Sequence, residues 1–181
     1  MKLQETTKEE KILYEGHILK MHVDTVVLEN GRMVKRECVD HPGGVSVAAL
    51  TPKNEMLFVK QFRYPYRQVV LEAPAGKLEP GEDPFEAVKR ELREETGSEG
   101  KQYLELGEIF PSPGYTNERL HLYACRIDST GKQDLDEDEF LEVERIPLGK
   151  AEKMVEQGKI PDAKTQILIL RVLTLLKDKK I

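Results

Sequence analysis

Three glutamates share one arc of a helix: on a helical wheel Glu94 and Glu95 fall within about 60° of Glu91. Like charges at i, i+3 and i, i+4 destabilise an isolated helix by roughly 0.2–0.5 kcal/mol per pair. A hard divalent cation, which takes oxygen ligands, would compensate for that repulsion. On spacing alone, a solvated acidic face relieved by Arg90 and Arg93 is the simpler account. The arc beside the acids carries Phe85, Val88 and Leu92, a narrow apolar stripe for a core. The ends of this helix are written into the chain. Asp83 suits the N-cap, Pro84 the first helical position and Glu86 the third, while Gly97 suits a left-handed stop.

From Gly76 to Ser98 the sequence reads GKLEPGEDPFEAVKRELREETGS. Gly76, Glu82, Arg90, Glu91, Leu92, Glu94, Glu95 and Gly97 follow the pattern G-x5-E-x7-R-E-U-x-E-E-x-G-U, with U apolar. This resembles the Nudix box at every fixed position except Ser98, where an apolar residue is usual. The resemblance implies an α/β (α+β) fold, a Nudix-type α/β/α sandwich with a mixed sheet, in which the box forms a loop–helix–loop. It also implies hydrolysis of a nucleoside diphosphate linked to another moiety, with Mg²⁺ or Mn²⁺ bound at two or three ions per site. A diphosphate repels an incoming hydroxide, so cations must neutralise its oxygens and lower the pKa of the attacking water. Carried over by position, Glu91 and Glu95 are direct ligands, Glu94 is a further or water-mediated one, and the carbonyl of Ala75 completes the set. Arg90 and Glu82 are expected to brace the box as an internal ion pair.

Sequence outside the box narrows the resemblance. LEAPAG (71–76), Ser112-Pro113-Gly114 and YTNER (115–119) are similar to the ADP-ribose pyrophosphatases, which implies release of AMP and ribose 5-phosphate. On that likeness Ser112 and Gly114 bind substrate, Glu118 lies near the terminal ribose, and Arg63 binds the diphosphate. Arg36 and Glu37 belong with the adenine side. For Arg63 and Arg36 a cross-strand ion pair remains open, as does a plain turn for the proline–glycine pair. The acidic run LDEDEFLEVE (135–144) reads either as a solvated loop or as the loop that supplies an acid to the active site. In the second case Glu137 is the base and Glu139 an extra metal ligand, with their order open. Other substrates of the same chemistry are GDP-mannose and ADP-glucose. A non-catalytic ADP-ribose sensor is a different class, and the intact box carboxylates argue against it.

The elements that must position these groups follow from pattern. Strands are expected at 18–29 and 33–40 around Asn30-Gly31, and at 45–50 and 56–62 around Pro52-Lys53-Asn54. A further strand at 69–73 leads into a loop from Pro74 to Gly81. After the helix at 84–96 come strands near 103–110, 119–127 and 140–146, then helices at 148–157 and 162–177. The 181 residues predict one Nudix hydrolase domain, with 1–43 as an N-terminal antiparallel strand extension and 44–181 as the core. In the family such an extension mediates a domain-swapped homodimer.

A net charge of −5 disfavours nucleic-acid binding, and no apolar run is long enough for a membrane span, so a cytoplasmic enzyme is expected. Cys38 and Cys125 read as buried thiols, and the four histidines show no ligand spacing. The charge is uneven. Residues 79–99 hold eight acids and three bases, and residues 134–144 hold seven acids and no base. The rest of the chain is therefore mildly basic, and both acidic segments belong to the expected metal site.

Overall fold

The computed structural model describes residues 2–137 and 139–181. They fall into two compact units, one running to Gly43 and including Phe110–Arg119, the other made of Gly44–Ile109 and Leu120–Ile181.

The first unit is an antiparallel sheet of β1 (Thr6–Glu15), β2 (Lys20–Val27) and β3 (Met33–Asp40), with β2 in the middle. On β2 the residues His22, Asp24 and Val26 are buried and alternate with more exposed neighbours, as a half-buried strand requires. The expected Asn30-Gly31 turn joins β2 to β3: Gly31 has φ +78°, and its N–H donates to the Leu28 carbonyl at 2.9 Å. β1 was not expected from sequence. All ten of its residues are exposed, so it offers no alternation to read. The segment 110–119 lies along β3, where the Val39 N–H donates to the Tyr115 carbonyl at 2.8 Å.

The second unit holds β4 (Gly44–Leu50), β5 (Glu55–Arg63), β6 (Gln68–Glu72), β7 (Ala75–Lys77), α1 (Pro84–Thr96), β8 (Ser98–Ile109), β9 (Leu120–Thr130), β10 (Leu141–Pro147), α2 (Leu148–Glu156) and α3 (Ala163–Lys177). The sheet runs β10-β5-β4-β9-β8, with β6 added to β5 and β7 to β4. It is mixed, because β4 and β9 run parallel while the other pairs are antiparallel. All seven residues of β4 are buried, the mark of a strand covered on both faces. Val45, Val47 and Ala49 pack with Ala87, Val88 and Leu92 of α1. Ala48 and Leu50 share the other cluster with Leu148 and Ala151 of α2 and with Leu168, Ile169 and Val172 of α3. Helices thus cover both faces, the α/β/α sandwich that the box implied.

Three details differ from expectation. Phe85 is 40% exposed, set edge-on to Tyr103 with ring centres 5.3 Å apart, and Ala87 takes the core position instead. The supposed loop after Pro74 contains β7, paired with the start of β4. β8 starts directly after Gly97, and its pairing with β9 is broken by register shifts that obscure its alternation.

Candidate functional site

α1 is capped as its sequence predicts. The Asp83 carboxylate accepts from the backbone N–H groups of Phe85 and Glu86 at 2.9 and 3.2 Å. Gly97 closes the helix at φ +66°, and a Cβ there would stand 2.5 Å from the Gly131 carbonyl oxygen. Full burial of Leu92 anchors the apolar side, contributing about 2 kcal/mol. Arg90 organises the acidic side. Its Nε and Nη2 bind Glu82 at 2.9 and 3.0 Å, and its Nη1 reaches Glu91 at 2.8 Å and Glu94 at 2.9 Å. The expected internal ion pair is present, and it extends to two of the three box glutamates.

Gly76 is required by close approach. A Cβ at this position would fall 1.8 Å from the Glu91 carboxyl carbon, so only a glycine lets that carboxylate lie against the loop backbone. Glu95 is 2% exposed and accepts one hydrogen bond, from the Ala75 N–H at 2.9 Å. Burial, together with the charges of Glu91 and Glu139, pushes its pKa up to about 8 despite that hydrogen bond. Burial also raises Glu91, with Glu94 and Glu139 adding to the effect and Arg90 opposing it. Glu91, Glu95 and Glu139 therefore form one electrostatic group, although 48 residues separate Glu91 from Glu139.

The loop carrying Glu139 is tied to the end of α1. The Asp134 N–H donates to the Glu94 carbonyl at 2.9 Å, and Gln133 Nε2 donates to the Glu95 carbonyl at 2.6 Å. Both use carbonyls that a helix end leaves unpaired. Glu139 is half-buried and accepts from Gln61 Nε2 at 3.3 Å, whereas Glu137 is exposed. An all-oxygen set of crowded glutamates, two of them held above the usual carboxylate range, fits hard divalent cations.

Arg63 is locked by a residue that sequence reasoning did not single out. Glu72, in the same lead-in run as Ala75, takes Arg63 Nε at 2.6 Å and Nη2 at 3.0 Å in a bidentate pair. Lys164 also bonds Glu72 and binds Asp162 at 3.0 Å, and Asp162 in turn caps α3 through the Thr165 N–H at 2.9 Å. Burial opposes ionisation of Glu72, but Arg63 and Lys164 outweigh it and hold its pKa below the usual range. Nothing in the sequence links positions 72 and 164; folding brings them together across 92 residues.

The remaining expected residues lie in the first unit. Glu118 Oε1 is 3.8 Å from His41 Nδ1, and the Ser112 carbonyl accepts from the Tyr115 and Thr116 N–H groups at 3.3 Å each. The Ser112–Gly114 loop is thus a turn closed by its own backbone. Arg36 pairs with Glu5 at 2.9 and 2.6 Å, the ion-pair alternative that sequence left open. As successive strand residues, Arg36 and Glu37 point to opposite faces, so the structure does not bring them together.

The NUDIX domain family matches residues 40–165. The ADP-ribose pyrophosphatase of Bacillus subtilis strain 168 is 41% identical over 169 residues, covering 92% of this chain and 91% of the relative. The methanol dehydrogenase activator of Bacillus methanolicus is also 41% identical, over 180 residues and 97% of both chains. A GDP-mannose pyrophosphatase of Yersinia enterocolitica is 33% identical over 164 residues, 83% of this chain and 85% of that one.

Proposed function

The chain belongs to the Nudix family, and on that premise we propose that it hydrolyses the diphosphate of ADP-ribose to AMP and ribose 5-phosphate with Mg²⁺ as cofactor. The observation that carries this reading is the convergence of Glu91, Glu95 and Glu139 beside Glu94, in a chain that resembles an ADP-ribose pyrophosphatase over nearly its whole length. Glu91, Glu94, Glu95 and the Ala75 carbonyl would hold two or three ions, which supply charge neutralisation at the diphosphate and a lowered pKa for the attacking water.

The chain's own groups do the rest. Arg63 spends Nε and Nη2 on Glu72, so its guanidinium is held in one orientation, and Nη1, which has no hydrogen bond among the described residues, would bind a diphosphate oxygen. The acidic loop supplies the group that takes the proton of the attacking water. Half-burial and coupling to Glu91 and Glu95 support Glu139 as the acid that works closest to the metals. Glu137, exposed on the same loop, is assigned as the base on the resemblance. Comparing Glu137→Gln with Glu139→Gln separates the two roles: the base variant loses kcat while keeping metal affinity, and the ligand variant loses both. Ser112 and Gly114 remain assigned to substrate, Glu118 to the terminal ribose, and Arg36 and Glu37 to the adenine side, on the resemblance alone.

A screen of ADP-ribose, GDP-mannose and ADP-glucose, read as phosphate released by a coupled alkaline phosphatase, tests the substrate. ADP-ribose is expected to give the highest kcat/KM. A higher value for GDP-mannose would move the chain to the second reading, which its Yersinia relative favours. The likeness to a methanol dehydrogenase activator favours a further reading, action on a partner enzyme, with the same hydrolytic groups.

We also propose a cytoplasmic homodimer with the extension 1–43 exchanged between subunits. Support comes from β1, whose Ile12, Leu13 and Tyr14 are each half or more exposed and need a surface to cover them. Two free thiols suit a reducing compartment. Sedimentation at micromolar concentration should give twice 20.7 kDa; a 20.7 kDa species alone would remove the dimer.

A further inference from the structure

One face of the three-stranded sheet gathers a second set of metal-binding side chains, unrelated to the glutamates of the box. His22 on β2 stands directly opposite Cys38 on β3, and Asp24 follows His22 by two residues, so all three side chains project from the same face. A ring nitrogen of His22, a carboxylate oxygen of Asp24 and the Cys38 sulfur lie within 4.8 Å of one another. His22 and Asp24 are 7% and 8% exposed, and Cys38 is half-buried. His22 Nδ1 faces Asp24 Oδ1 at 2.7 Å, while its other nitrogen, Nε2, lies 3.7 Å from Asp40 Oδ1. Asp40 is itself held by Asn117 Nδ2 at 2.7 Å and Lys20 Nζ at 3.2 Å.

We propose that this cluster binds one divalent transition-metal ion of the zinc class through His22 Nδ1, the Asp24 carboxylate and Cys38 Sγ, with Asp40 orienting the histidine from behind. The donor chemistry separates it from the box. Nitrogen, sulfur and carboxylate oxygen together suit zinc, cobalt or nickel, whereas an all-oxygen set suits magnesium or manganese. A carboxylate bonded to the far nitrogen is the usual outer partner of a metal-bound histidine; Asp40 stands at ion-pair distance, 3.7 Å, and would close by a few tenths of an ångström to take that place. Tetrahedral bonds of zinc length place ligand atoms about 3.3–3.8 Å apart. Asp24 therefore gives up its hydrogen bond to His22, and Cys38 closes in by side-chain rotation.

The local charge acts in the same direction. The carboxylates of Asp24 and Asp40, both facing His22, give the cluster a negative charge that attracts a dication. On binding, the S–H proton and any proton on His22 Nδ1 pass to solvent as metal–sulfur and metal–nitrogen bonds form, with no change of oxidation state. The bond would clamp β2 to β3 in a small sheet whose β1 buries none of its residues.

Cobalt(II) added to the chelator-stripped full-length protein tests this directly. A thiolate-to-cobalt charge-transfer band in the near ultraviolet should saturate at one equivalent. It should survive in Glu95→Gln, disappear in the near-isosteric Cys38→Ser, and require about 10- to 100-fold more cobalt in Asp40→Asn. Absence of a band overturns the proposal. So does a band that persists in Cys38→Ser, since it would come from Cys125, which is buried with a thiol pKa pushed up to about 12.

Discussion

Glu72 and Glu95 are the same residue type at nearly the same depth, 3% and 2% exposed, yet they are driven in opposite directions. Glu72 has two cations on it, and its pKa falls. At Glu95 burial, reinforced by the charges of Glu91 and Glu139, outweighs the Ala75 N–H and the charge of Arg63, and the pKa rises to about 8. Burial alone therefore says nothing about a buried acid's role; its partners do. The Glu72 region is electrically complete, while the Glu95 region stays out of balance until positive charge arrives. The first holds an arginine still; the second is where the proposed cation would sit.

The widest separation between the two should appear in rate. Glu95→Gln is expected to lower kcat by about 100-fold or more, since a neutral amide would hold poorly the divalent cation proposed to offset the charge on the diphosphate. Thermal unfolding of the metal-free variant should shift upward or not at all, because the substitution relieves repulsion. Near-normal turnover in Glu95→Gln would erase the distinction. Gly76→Ala comes next: its methyl would collide with Glu91, so about a 10-fold loss of kcat/KM is expected with the fold retained, as read by circular dichroism.

Glu72→Gln should reverse the pattern. It leaves the half-buried Lys164 with only Asp162 among its carboxylate partners and weakens the hold on Arg63, costing on the order of 2 kcal/mol in urea unfolding after allowance for the exposure of Arg63. In the pH profile of metal-free stability the two acids act with opposite sign. Between pH 4.5 and about 8 the unfolded chain has lost the Glu95 proton that the folded chain retains, so stability falls as pH rises through that window. Saturating Mg²⁺ should flatten this slope, and so should Glu95→Gln. Glu72 contributes stability that is present above pH 4.5 and lost as pH falls through its depressed native value. Ser98→Val, restoring an apolar residue at the divergent box position, should move neither profile.

Local signals were the most legible part of the chain. Asp83, Pro84 and Gly97 bounded α1 at the residues where the structure starts and stops it, because caps depend on one or two side chains and the adjacent backbone. The paired glutamates and the bracing arginine were equally visible, since helical spacing sets their geometry. β1 was invisible because a strand with no buried face has no period. The full extent of β8 was hidden by the register shifts in its pairing. The Arg63–Glu72–Lys164 assembly and the His22–Cys38 pairing depend on which strands and helices meet. Register and topology decide that; spacing along the chain does not.

The parallel pairing of β4 with β9 has a kinetic consequence. Gly44 meets Leu120, so the centre of the sheet cannot close until the intervening 75 residues, including all of α1, have left the ribosome. Until then the apolar β4 stands without its central neighbour. Long-range parallel pairings of this kind are slow and leave sticky edges exposed. Synthesis of this chain thus passes through an interval in which its acidic helix is made while the strand beside it still waits for its partner.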